Sequence, residues 1–198
     1  MQTRRAGSGS EIETKLRVTD RSALRARLEE LHAVRICPRT YESNTLFDTP
    51  AEDLRRLGRM IRIRVEQPAS KAKRRGGPLD SPALLTYKGP PRKSHISSKE
   101  AGEGRAGKRL KIREELEVTL DSWRQMTNIL HATGLRPAFR YEKFRTTYTL
   151  PGIRGLKVEL DETPLGCFLE LEGGARAIDR AARLLGYKRG NYITETYG

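Results

Sequence analysis

The sequence predicts a mainly β chain of α+β class. The expected architecture is an eight-stranded antiparallel barrel, closed or nearly closed, with charged residues on its inner face and about three to four helices over its outside. Three observations lead there. Eight short runs alternate apolar and polar residues with the period of a strand, in which successive side chains point to opposite faces. Several of these runs carry charges in pairs two residues apart, as in Glu11 and Glu13, Arg62 and Arg64, Glu115 and Glu117, and Glu170 and Glu172. Between them lie stretches with apolar residues at helical spacing, each able to cover an apolar sheet face. Closure removes the exposed edges that so many strands would otherwise present.

Taken in order, Met1 to Ser10 (MQTRRAGSGS) reads as a disordered leader before a single domain over residues 11–198. In the first strand, Glu11, Glu13 and Lys15 share one face, and Ile12 and Leu16 share the other. Thr19 or Asp20 caps a helix to about Ala33, with Leu24, Leu28 and Leu31 as its buried stripe. Tyr41 to Asp48 is the second strand, and Ala51 to Leu57 forms a short helical turn before Gly58. The third strand runs from Arg59 to Glu66 and the fourth from Ala83 to Lys88. Two basic stretches rich in Gly, Pro and Ser, at about 67–80 and 89–107, read as mobile hairpin insertions.

The fifth strand, Lys108 to Leu120, sets Leu110, Ile112, Leu116 and Val118 opposite Lys111, Arg113, Glu115 and Glu117. Asp121 or Ser122 caps the next helix, whose stripe is Trp123, Met126, Ile129 and Leu130; Gly134 closes it and Pro137 enforces the stop. Strands six to eight are Phe139 to Leu150, Gly155 to Asp161 and Cys167 to Gly173, and a last helix spans Ala175 to Leu185. The tail has no clear pattern beyond Tyr192 and Ile193, a candidate packing anchor.

Composition narrows the partners. The chain has 198 residues and a formal charge of +14, from 39 Lys and Arg against 25 Asp and Glu, which favours anionic partners. Cys37 and Cys167 fit neither a metal-ligand spacing nor a disulfide framework, so a reducing, cytoplasmic setting is expected. No apolar run approaches the roughly 20 residues of a membrane helix. His32, His95 and His131 have no partner pattern, and Tyr87, Phe144 and Tyr148 read as packing residues.

The charged faces carry the chemistry. On the inward parity stand eight acids (Glu11, Glu13, Glu115, Glu117, Glu159, Asp161, Glu170, Glu172) and seven bases (Lys15, Arg62, Arg64, Lys88, Arg113, Lys143, Arg145). An eight-stranded barrel has room inside only for side chains or one small ligand. Two carboxylates about 4 Å apart repel by roughly 4 kcal/mol at an effective dielectric near 20, so clustered glutamates call for cations between them. Carboxylate oxygens suit Mg²⁺ or Mn²⁺, and guanidinium forks match phosphate oxygens. A ligand with several phosphates plus one or two divalent ions satisfies both groups.

Glu11-x-Glu13-x-Lys15 resembles the signature of the CYTH superfamily, the triphosphate tunnel metalloenzymes, which include class IV adenylyl cyclases, thiamine triphosphatases and tripolyphosphatases. Arg62-x-Arg64, Thr86-x-Lys88, Arg113-x-Glu115-x-Glu117, Lys143-x-Arg145, Asp161 and Glu170-x-Glu172 follow in the family's order. The resemblance implies a tunnel that binds a triphosphate, such as tripolyphosphate or ATP, and Mg²⁺ or Mn²⁺. By their chemistry, Lys15, Arg62, Arg64, Lys88, Arg113, Lys143 and Arg145 are then the phosphate-binding residues. Glu11, Glu13, Glu170 and Glu172 are the candidate metal ligands, and Glu115, Glu117 and Asp161 the candidate catalytic acids. Hydrolysis of a phosphoanhydride is the leading expectation. A class IV cyclase is the alternative, and a non-catalytic module binding polyphosphate or nucleic acid through the basic loops is a third reading. A weaker version of the last, with loops that only attract polyanions, is compatible with either enzyme.

Overall fold

A computed structural model describes residues 8–71, 82–92 and 110–193. Among the described residues nine strands form one sheet: β1 (Ser8–Val18), β2 (Val34–Asp48), β3 (Met60–Pro68), β4 (Ala83–Lys88), β5 (Lys111–Leu120), β6 (Arg136–Thr149), β7 (Lys157–Thr163), β8 (Gly166–Glu172) and β9 (Tyr192–Ile193). Their order is β5-β4-β3-β2-β6-β7-β8-β1-β9, and β5 also pairs with β1, which closes eight strands into an antiparallel barrel with β9 added on β1. Four helices of the described residues, α1 (Arg21–Glu30), α2 (Asp53–Arg56), α3 (Trp123–Ala132) and α4 (Ala175–Leu184), lie outside it. The predicted fold class is therefore the observed one.

The chain divides into two compact units, each described separately below. The first comprises Met1–Ser10, Thr40–Pro91 and Arg113–Phe144; the second comprises Glu11–Arg39, Arg92–Ile112 and Arg145–Gly198. In the second unit, the even-numbered face of β1 buries Leu16 and Val18 with Val158 of β7 and Leu169 and Leu171 of β8. Leu24 and Leu28 of α1 and Ile178, Ala181 and Ala182 of α4 pack onto this cluster. The helix starts where its cap permits: Asp20 accepts hydrogen bonds from the backbone N–H of Ser22 and Ala23. Tyr192 is buried in the same cluster, and its hydroxyl donates to Asp179 at 2.8 Å. The anchor expected at Tyr192 and Ile193 is thus a short strand on β1.

In the first unit a smaller cluster joins Phe47, Ile63 and Leu130, with Ile61, Val65, Leu85, Trp123 and Met126 at its margin. Ser122 caps α3 through its hydroxyl, and Gly134, at φ 90°, follows the helix in the left-handed region that glycine enters without strain. Thus α3 covers the apolar face of the first unit as α1 and α4 cover that of the second.

Several expectations need correction. Leu116 and Val118, on the apolar parity of β5, are 42% and 46% exposed, so no helix among the described residues covers that length of the strand. Ile129 points outward from α3 at 54% exposure. Strand two begins at Val34, seven residues before the expected Tyr41, and Pro137 lies inside β6 and does not end a segment. β1 begins at Ser8, within the expected leader, while the rest of that leader and most of both basic loops lie outside the described residues.

Because parity decides which truncations matter, Leu169→Ala, at a fully buried site, should lower stability by about 2–5 kcal/mol in denaturant melts. Leu116→Ala should cost less than about 0.5 kcal/mol.

Candidate triphosphate-binding residues

Alternation places Arg62 and Arg64 of β3, Thr86 and Lys88 of β4, Arg113, Glu115 and Glu117 of β5, and Lys143 and Arg145 of β6 each on one face of its strand. In the first unit this face is rich in buried cations. Arg62, Arg64, Lys88 and Lys143 are all buried, against acids from neighbouring strands. Register explains the partners: Arg62 stands opposite Thr86, which stands opposite Glu117, and Lys88 stands opposite Glu115. The Arg62 guanidinium donates to the Thr86 hydroxyl at 3.2 Å, and that hydroxyl donates to Glu117 at 2.9 Å. Lys88 pairs with Glu115 at 3.3 Å.

Three further residues of this face were missed from the sequence. Glu42 lies 3.4 Å from the Arg64 Nε and 3.6 Å from the Lys143 Nζ, with a side chain only 3% exposed. Asn44, fully buried, accepts a hydrogen bond from Arg64 Nε at 3.2 Å. Tyr141 takes a 3.4 Å hydrogen bond from Arg62 at its hydroxyl. Burial pushes the Tyr141 phenol up, but the cations Arg62, Lys143 and Arg64 outweigh this and hold it below its ordinary value. The available signal was parity: Glu42 and Asn44 share a face of β2, and Tyr141, Lys143 and Arg145 share one of β6.

Two buried guanidinium nitrogens in this unit, Arg62 Nε and Arg113 Nε, have no hydrogen-bond partner among the described residues. A buried unpaired donor costs roughly 1–3 kcal/mol. An anion presenting several oxygens removes that cost.

The second unit has the opposite balance. Arg145 is its hub, donating from Nε and Nη2 to the two oxygens of Asp161 at 2.6 Å each and also pairing with Glu159 and Glu170. Asp161 is fully buried, and Lys15 pairs with Glu170 at 3.0 Å. Glu13 stands directly opposite Glu172 across the β1–β8 ladder, and Lys157, on the other side of Glu172, pairs with it at 2.9 Å. Glu11 lies on the same strand parity as Glu13. On this face carboxylates outnumber cations, and like charges set opposite one another are destabilising without a counter-ion.

Such an all-oxygen donor set fits Mg²⁺ or Mn²⁺ by its chemistry. Among the described residues, however, no group of three or more Asp, Glu, His or Cys is gathered closely enough to hold a metal ion. Glu170 and Glu172 are instead engaged by Lys15, Arg145 and Lys157. Metal binding by these acids therefore requires exchange of ion pairs.

Over residues 9–197 the sequence matches the CYTH domain model, and the chain belongs to that family. It is 24% identical over 176 residues to a candidate adenylate cyclase of Methanocaldococcus jannaschii, covering 88% of this chain and 83% of that protein. The fold is similar to that of a candidate adenylate cyclase from Vibrio parahaemolyticus, with a TM-score of 0.69, 15% identity and coverage of 96% and 97% of the two chains. It is also similar to a Hippeastrum protein named as a candidate adenylyl cyclase with a dominant triphosphatase activity, with a TM-score of 0.57, 21% identity and coverage of 95% and 92%.

Acidification tests the pairing in the first unit. Burial raises the Glu117 carboxyl, but the Thr86 hydrogen bond and the charges of Arg64, Arg62 and Lys88 bring it below its ordinary value of 4.5. A depressed folded-state pKa adds stability above the unfolded value, and that stability is lost as pH falls through the folded value. Melting temperature should therefore fall on acidification below about pH 4.5, and Glu117→Gln should make that part of the decline shallower.

Proposed function

We propose that this chain is a divalent-metal-dependent enzyme that binds a triphosphate and hydrolyses one of its phosphoanhydride bonds, with inorganic tripolyphosphate or a nucleoside or organic triphosphate as substrate. The observation that carries this reading is the set of buried cations of the first unit, Arg62, Arg64, Lys88 and Lys143, together with the buried Nε donors of Arg62 and the half-buried Arg113, which have no partner among the described residues. Membership of the CYTH family supports it.

In the first unit, Arg62, Arg64, Lys88, Arg113 and Lys143 are assigned to phosphoryl oxygens. Arginine forks give orientation as well as charge, and cations held in place before the reaction stabilise charge developing at the transferred phosphorus. Glu117 stays ionised under its cationic neighbours and can orient an attacking water by accepting its proton in a hydrogen bond; Glu115 serves beside it while fixing Lys88. In the second unit, Lys15 and Arg145 are the phosphate-binding cations. Asp161, expected from the sequence to be a catalytic acid, is buried and clamped to Arg145. We therefore give it the task of orienting that guanidinium.

Glu11, Glu13, Glu170 and Glu172 are the residues that would hold a divalent ion. Such an ion supplies charge neutralisation at the phosphoryl oxygens. Anionic substrate arriving at Lys15 and Arg145 competes for the cations that now engage Glu170, leaving its carboxylate available to a metal.

A second reading, conversion of ATP to cyclic AMP and pyrophosphate, is favoured by the names of the Methanocaldococcus and Vibrio proteins. Purified protein with Mg²⁺ or Mn²⁺ and either tripolyphosphate or ATP separates the possibilities. Orthophosphate is the expected product; cyclic AMP with pyrophosphate supports the cyclase, and neither supports a binding module. Glu13→Ala should reduce metal-dependent turnover by on the order of 100-fold or more. Its folding should survive, because the change removes one of two opposed carboxylates.

A further inference from the structure

On the charged face of β2, Asn44 stands directly opposite Arg64 in the β2–β3 register, with Arg62 as its diagonal neighbour. The Arg64 side chain has donors only, so its Nε–H fixes the Asn44 amide with the oxygen toward the guanidinium, at 3.2 Å, and the nitrogen away from it. Glu42, two residues before Asn44 on β2, lies 3.4 Å from the same Nε, so that edge of Arg64 faces two side chains of one strand. The Asn44 side chain is fully buried, yet its Nδ2 has no hydrogen-bond partner among the described residues. An amide nitrogen donates and does not accept, so what it lacks is an acceptor, and its neighbours across the β2–β3 ladder are Arg64 and Arg62. Arg62 Nε, on the adjacent strand, is in the same unsatisfied condition. Two unsatisfied N–H groups on neighbouring strands of one buried, cation-lined face call for an anionic ligand with several oxygens.

We propose that Asn44 is a substrate-binding residue whose Nδ2 donates to a phosphoryl oxygen, selecting for an acceptor at that point of the site. The inference rests on the triphosphate reading of the same residues. Arg64 then has two functions: it is one of the phosphate-binding cations, and through Nε it sets the direction in which the Asn44 amide points.

Isosteric replacement separates binding from structure. Asn44→Asp replaces the unsatisfied donor with an acceptor and sets a negative charge beside Arg64. That suits the empty protein and opposes a phosphate. Tripolyphosphate binding to the 198-residue chain, measured by titration calorimetry in metal-free buffer alongside the melting temperature, reads both effects. For Asn44→Asp we expect binding weaker by about tenfold or more, with the melting temperature unchanged or raised. For Asn44→Ala we expect a smaller loss of affinity.

Binding within twofold of wild type in Asn44→Asp would overturn the inference, as would weaker binding with a parallel fall in melting temperature. Arg62→Gln is the control for the underlying reading. If wild type binds, Arg62→Gln does not, and Asn44→Asp binds normally, only the role of Asn44 falls. If wild type binds tripolyphosphate neither in that buffer nor with Mg²⁺ added, both readings fall.

Discussion

Charged side chains removed from bulk water must be paired, and this requirement organises the chain. A buried ion pair gains little over a well-packed apolar pair, but removing one partner costs about 3–5 kcal/mol because the other charge is left uncompensated. Arg145 shows the rule most fully, with Asp161, Glu159 and Glu170 around one guanidinium. Arg64 repeats it with Glu42, Glu66 and the Asn44 amide. Interactions this interdependent are poor substitutes for a hydrophobic core. Their value is that each cation is held in a fixed position before any ligand arrives.

Stability comes from the opposite face of the same strands. Leu16, Leu169 and Leu171 are completely buried under α1 and α4, and Phe47 and Ile63 are buried with Leu130 of α3. Strand alternation lets one sequence run serve both ends: the even residues of β1 build a core while Glu13 and Lys15 remain on the charged face. It also explains why the two units differ in chemistry while sharing a construction. Cations predominate in the buried set of the first, and carboxylates predominate on the corresponding face of the second.

Much of this was legible in the sequence because parity is a local property. The succession of strands along the chain and the charged residues of each follow from spacing within a few residues, and so do the capping sites at Thr19 or Asp20 and at Asp121 or Ser122, which the structure resolves to Asp20 and Ser122. What was not legible depends on coverage and register. Alternation distinguishes two faces of β5 but does not say how far a helix extends over one of them, so the exposure of Leu116 and Val118 could not be read. Pro38 and Pro137 lie near the starts of β2 and β6, where proline suggests an irregular segment, yet both strands run through them. Glu42 and Asn44 were overlooked because Leu46 shares their parity and weakens the polar pattern; their link to Arg64 exists only through the β2–β3 register. The engagement of Glu170 and Glu172 by lysine and arginine is likewise a tertiary fact that no spacing announces.

The central claim is that the buried cations are arranged for a chain of phosphates and not simply for their carboxylate neighbours. A ligand that binds only the folded state raises its stability with concentration, so the most direct measurement is the melting temperature in increasing tripolyphosphate at constant ionic strength, with orthophosphate as the comparison. The account predicts a progressive rise with tripolyphosphate that far exceeds the rise with orthophosphate. Equal and small responses to the two anions would contradict it.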